Sequence, residues 1–100
     1  MRIIAVSTLK AFWEQNPEYH DAAAPVMAWY QQARKAAWKT PAEVKQAFGT
    51  ASILKSGRVV FNIGGNKYRL VVGINYDYQI LYVKFIGTHK QYDAIDAQTI

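Results

Sequence analysis

Near the end of the hundred-residue chain, His89 and Tyr92 stand three residues apart in the segment Gly87-Thr88-His89-Lys90-Gln91-Tyr92-Asp93. An imidazole exchanges protons near neutral pH. On a helix, positions i and i+3 share a face with Cβ atoms about 5–6 Å apart, so both rings could reach one phosphate. Upstream, Lys67, Arg69 and Lys84 fall in β-rich runs. Arginine forks onto phosphate oxygens and lysine supplies a point charge, so the set suits the charge that develops on a reacting phosphate. The combination points to chemistry on RNA. A blander alternative exists for each member: solvated cations on an ordinary sheet face, His89 in a helix cap, Tyr92 packed on the sheet. His20, near a helix start with no clustered partner, is read as structural or exposed.

Charge placement favours the first reading. Twelve Lys and Arg against seven Asp and Glu give a formal charge of +5, which promotes encounter with a polyanion or an acidic protein. Between positions 55 and 90 the basic residues are Lys55, Arg58, Lys67, Arg69, Lys84 and Lys90, and the one acid is Asp77. Other chemistries find little support. There is no cysteine, which removes thiolate nucleophiles and disulfides and suits a reducing compartment. The two histidines are distant, and no HExxH or paired-carboxylate pattern offers a metal site. Gly64-Gly65 lacks the spacing of a phosphate loop and reads as a hairpin turn.

At 51% hydrophobic, 14% aromatic and 19% charged residues, the chain is expected to fold as a single domain over residues 1–100. Ile3 to Val6 is too short for a signal-peptide core, and Ala22 to Tyr30 is too short to span a bilayer, so a cytoplasmic location is expected.

The elements that must carry these side chains follow from local pattern. Arg2 to Val6 suits a first strand, with Ser7 or Thr8 as cap of a helix bearing Leu9, Phe12 and Trp13. Asn16-Pro17 breaks that helix and starts another. Val26, Tyr30, Ala33 and Ala37 form a stripe on it, with Trp29 and Trp38 at its edges. Pro25 requires either a kink or a later start capped by Asp21. Thr40-Pro41-Ala42-Glu43 is a capping box opening a short helix to Phe48. Val59 to Ile63, Lys67 to Ile74 and Gln79 to Ile86 read as a three-strand meander turning at Gly64-Gly65-Asn66 and at Asn75 to Tyr78. Thr88 with Gln91 predicts a second capping box and a C-terminal helix. The order predicts an α+β fold: a small antiparallel-rich sheet, the N-terminal strand plus the meander, with two to three helices on one face.

Strand alternation sets Lys67, Arg69, Val71 and Gly73 on one face and Tyr68, Leu70, Val72 and Ile74 on the core face. On the last strand it separates Leu81, Val83 and Phe85 from Ile80, Tyr82, Lys84 and Ile86. Arg69 and Lys84 are then expected to share the open face.

The segments Val60-Phe61-Asn62-Ile63-Gly64-Gly65-Asn66-Lys67-Tyr68-Arg69-Leu70 and Phe85-Ile86-Gly87-Thr88-His89-Lys90-Gln91-Tyr92-Asp93 resemble the HigB-type toxins of the RelE superfamily. Lesser similarity covers nearly the whole chain, including Ile3-Ile4 and Trp38-Lys39-Thr40-Pro41. The resemblance implies a RelE-like fold and a cytoplasmic toxin of a type II toxin–antitoxin system. It implies cleavage of mRNA on the ribosome, without metal or cofactor, by attack of the 2′-hydroxyl on the adjacent phosphate. A helix-turn-helix antitoxin of the HigA kind is the implied partner. Carried onto this sequence, Arg69 would stabilise the transition state, His89 would exchange a proton, and Lys84 and Tyr92 would complete the catalytic group. Lys67 would hold RNA, and the basic run adds Arg58 and Lys90 as RNA-binding candidates.

Two other functions fit the same residues. A non-catalytic RNA- or ribosome-binding module would inhibit translation by occlusion and leave RNA uncut. A protein-interaction domain would use its open face or strand edge to receive a partner segment.

Overall fold

The computed structural model describes residues 1–100. Strand β1, Arg2–Ile4, passes directly into helix α1, Val6–Glu14, through Ala5 at φ 72°, ψ 39°. The left-handed alanine turns the chain so sharply that its carbonyl already accepts the Thr8 N–H at 3.0 Å. The helix therefore starts ahead of the expected caps, and no side chain caps it.

Pro17 opens a 3-10 segment, Pro17–Ala22, followed by α2, Ala23–Lys35. Of the two outcomes open for Pro25, the later start is the one found. The proline is the third residue of α2, in the first turn, where its missing N–H has no intrahelical acceptor to lose. Asp21 does not cap α2, because its carboxylate is turned toward Lys67 and Tyr68. Trp29 and Trp38 are buried in the core, not set at helix edges. The α-amino group of Met1 satisfies the carbonyls that end α2, donating to Arg34 at 2.9 Å and Ala36 at 2.6 Å. Helix α3, Pro41–Ala47, has Thr40 as its cap, accepting from the Glu43 N–H at 3.3 Å. Glu43 returns the bond to the Lys39 N–H at 2.7 Å, one residue earlier than a standard capping box.

The sheet has five strands in the order β1-β5-β4-β3-β2, with β2 at Ser52–Ile53, β3 at Arg58–Ile63, β4 at Tyr68–Asn75 and β5 at Ile80–Thr88. The meander pairs antiparallel and β1 joins β5 in parallel. Two residues of β2 are too few to show a period, and the sequence did not suggest them. Gly64 and Gly65 both adopt positive φ, 63° and 68°, which side chains beyond Cα would oppose. After β5 comes α4, His89–Asp93, with both capping-box bonds present: Gln91 N–H to Thr88 Oγ1 at 3.1 Å and Thr88 N–H to Gln91 Oε1 at 2.9 Å.

On one face, Tyr68, Leu70, Val72, Ile74, Leu81, Val83 and Ile86 join Leu9, Val26, Trp29 and Val44 in the main core. Alternation on β5 is corrected by a bulge. Val71 pairs with Phe85 but Val72 with Val83, so Lys84 is the extra residue. Beyond it the pleat is reset: Phe85 moves to the outer face and Ile86 to the core, opposite to strict alternation. The outer face is partly covered as well. Residues after α4 fold back over it, bringing Ala97, Ile95 and Ile100 onto Val60, Val71 and Phe85.

Candidate functional site

The β4–β5 register determines which basic groups meet. Arg69 lies opposite Gly87 and Tyr68 opposite Thr88, so His89 emerges from the sheet beside the start of β4. Its N–H donates to the Lys67 carbonyl at 3.3 Å. The capping box then fixes the direction in which α4 leaves. Arg69 is half-buried, and its Nη1 is tethered to the Asn66 and Tyr68 carbonyls at 3.1 and 3.4 Å. These bonds aim the guanidinium while sparing its remaining N–H groups for an anion.

His89 has a partner the sequence reading did not assign. Its Nδ1 lies 3.1 Å from Asp93 Oδ2, one helical turn on, with both side chains more than half exposed. A neutral ring that donates from Nδ1 to this carboxylate keeps Nε2 as its basic nitrogen. The i, i+4 spacing was the available signal.

Lys67 departs from its expected place. Its ammonium turns from the open face to Asp21 Oδ2, while the Tyr68 hydroxyl donates to Oδ1 of the same carboxylate. Lys67 and Tyr68 together hold the Asp21 carboxyl below the usual carboxylate range. In return, the bond to Asp21 raises the Lys67 pKa. Burial first, then the bond to Asp21, raises that of Tyr68. Asp21 thus takes one of the three ammonium donors of Lys67 and draws its charge away from the open face.

The other predicted residues divide between two places. Lys90 is exposed on α4, and half-buried Tyr92 packs into the outer cluster with Ile95 and Ala97. Lys84 and Arg58 lie farther along the sheet, near Gly73. By register Arg69 and His89 lie at the hairpin end, with Lys67 turned to Asp21 and Tyr92 packed in the outer cluster, while Lys84 and Arg58 lie apart near Gly73. No group of three or more His, Asp or Glu side chains is arranged to hold a metal ion. No helix is long and apolar enough to cross a membrane.

Against this geometry, a model of the HigB toxin family, described as the RelE-like toxic component of a toxin–antitoxin system, matches residues 22–95. The chain belongs to the HigB toxin family. The match takes in the whole meander and α4, and so Arg58, Lys67, Arg69, Lys84, His89, Lys90 and Tyr92. Among curated relatives, the mRNA interferase toxin HigB of Escherichia coli strain K12 is 29% identical over 99 residues, covering 97% of this chain and 92% of that protein. The mRNA interferase HigB of Shigella flexneri matches equally. A third relative, the mRNA interferase HigB of Escherichia coli O6:H1, is 28% identical over 84% of each chain. Family membership makes this chain a toxin-component protein, for which an antitoxin is the expected counterpart.

Proposed function

We propose that this protein is an endoribonuclease that cuts mRNA engaged on the ribosome, held inactive in the cytoplasm by a helix-turn-helix antitoxin of the HigA kind. The observation that supports this reading most is the strand register, with Arg69 opposite Gly87 and His89 two residues beyond. That register starts a tethered guanidinium and an imidazole with an unshared nitrogen from the same end of a basic sheet.

In the proposed step, the 2′-oxygen forms a bond to the adjacent phosphorus while the bond from phosphorus to the 5′-oxygen breaks. The proton leaves the 2′-hydroxyl and another reaches the 5′-oxygen, giving a 2′,3′-cyclic phosphate and a 5′-hydroxyl. Arg69 stabilises the charge on the equatorial oxygens, His89 exchanges a proton through Nε2, and Tyr92 orients the nucleotide. Lys67 and Lys90 hold the backbone. The relatives' names, as mRNA interferases, support the substrate class.

Mapping 5′ ends of a defined mRNA in a translating extract tests the proposal, using purified protein, His89→Ala, and an arm with translation stopped. New 5′-hydroxyl ends that need both His89 and translation are the expected result. Intact RNA with inhibited translation would replace the nuclease with an occluding module, and cuts without translation would remove the ribosome as an obligate partner.

A further inference from the structure

A second set of cations lies apart from His89. Gly73 on β4 is flanked by Arg58 on β3 and Tyr82 on β5. A Cβ at Gly73 would sit 2.8 Å from Arg58 Nη1 and 3.4 Å from Lys84 Cε. The absent side chain is therefore the space into which both cationic side chains lean. Lys84 Nζ also lies 5.6 Å from the centroid of the Tyr82 ring, which is 39% exposed. Arg58 commits Nε and Nη2 to the main-chain oxygen of Ile100, at 3.0 and 2.5 Å, and turns Nη1 toward Gly73.

Neither cation is paired with an acidic side chain. Asp77 lines the same hollow as Arg58 without pairing to it. Two like charges gathered over one glycine repel each other, and a bound anion relieves that repulsion. Gly73 is four residues from Arg69 on the same face, about 13 Å at 3.3 Å per residue. One phosphate cannot serve both places.

We infer that Arg58 and Lys84 form a second anion site, with the Tyr82 ring as its platform, taking a backbone phosphate and neighbouring base of single-stranded RNA a few nucleotides from the scissile bond. The inference rests on the nuclease reading above and deepens it by making Lys84 a binding residue. Sheets that read single strands combine this pair of features: cations that track phosphates, and exposed aromatic rings on which any base can stack. The bulge supplies the geometry, because it inserts Lys84 as an extra residue beside Tyr82 without displacing the core side chains on either side.

The test is binding of a fluorescent 2′-O-methyl oligonucleotide about 12 nucleotides long, which lacks the attacking hydroxyl, measured across a salt series. Lys84→Ala and Arg58→Ala should each weaken binding roughly tenfold, the loss of one charge-assisted contact. Each should also flatten the salt slope by about 1. Tyr82→Ala should weaken binding and Tyr82→Phe restore it, since the ring is what stacks. Lys84→Ala carries the test alone if Arg58→Ala, which also releases Ile100, fails to fold.

Wild-type cleavage of mRNA with unchanged affinity and slope in Lys84→Ala would overturn the second site and spare the nuclease. Binding that depends on Lys84 and Tyr82, in a protein that never cuts mRNA, would uphold the site and remove the nuclease. A fall in the saturating cleavage rate of Lys84→Ala, with affinity kept, would return Lys84 to the reacting phosphate and overturn its assignment here.

Discussion

The two faces of β4 are built from alternate residues with different fates. Tyr68, Leu70, Val72 and Ile74 lie under the helices within a core of nineteen buried residues, whereas the outer face has a cluster of only three, Val60, Val71 and Ala97. Around that small cluster stand half-buried Arg69 and Arg58 and exposed Lys84 and Tyr82, with few protein partners. The apolar area that stabilises the fold is concentrated on one side, so the other can hold cations and open space without loss of the core. Function and stability should then be separable by choosing which side of the sheet to change.

The widest separation is expected at the hairpin end of the outer face. Arg69→Ala should slow cleavage about 10²- to 10³-fold, the range seen when a donor to a transition-state oxyanion is removed. His89→Ala should slow it about 10²- to 10⁴-fold, the range for proton transfer by a positioned side chain. Circular dichroism and thermal midpoint should stay near wild type in both. Loss of the folded signal would show that these residues serve the fold and would break the division between faces.

Next in size is a comparison between two neighbours. Leu70 and Val71 are both fully buried but point to opposite faces. Leu70→Ala should cost about 2–5 kcal/mol, because the helical layer cannot collapse into the cavity. Val71→Ala removes two methyl groups from a thin cover, about 1–2 kcal/mol. Urea unfolding measures both. Equal costs would mean that the segment after α4 seals the outer face as firmly as the helices seal the inner one.

The same contrast explains what could be read in advance. The meander, the Gly64-Gly65 turn and both Thr-led caps depend on neighbours in the chain, and local pattern disclosed them. The inward set on β4 was legible because it is apolar at every second position. Phe85 and Ile86 were misassigned because a bulge leaves no mark in alternation until the partner strand is known. Local pattern offers Asp21 as one possible helix cap, because its actual partners, Lys67 and Tyr68, lie 46 and 47 residues away in sequence. The grouping of Arg58 with Lys84 over Gly73 also depends on three strands being aligned, which no single segment encodes. Asp93 was in reach, since its spacing from His89 is local.

A smaller effect should come from the helix that carries His89. Thr88→Ala deletes one side of the capping box and should cost about 1 kcal/mol, concentrated in α4. Cleavage should fall several-fold less than in His89→Ala, and amide exchange should quicken in residues 89–93 before it does in β4. Uniform loosening of the sheet would mean that α4 and the strands open as one unit.

The smallest and most conditional effect concerns Asp21, which ties the helical layer to the hairpin. Its carboxyl is lowered by Lys67 and Tyr68, so the folded state favours the ionised form. Stability from this source is present above the ordinary value of 3.8 and is lost as pH falls through the lowered folded value. Lys67 and Tyr68 are raised, so their share is full below about 10 and is lost as pH rises through their folded values. Asp21→Asn keeps an acceptor but removes the charge, which isolates the electrostatic part. Its unfolding midpoint should lie slightly below wild type at neutral pH, with the gap narrowing toward both acid and strong base and diminishing in high salt. If the gap is the same at every pH, Asp21 acts through packing alone. Lys67 would then carry its charge to RNA undiminished by Asp21, and the hairpin end would be as open to phosphate as the cations beside Gly73.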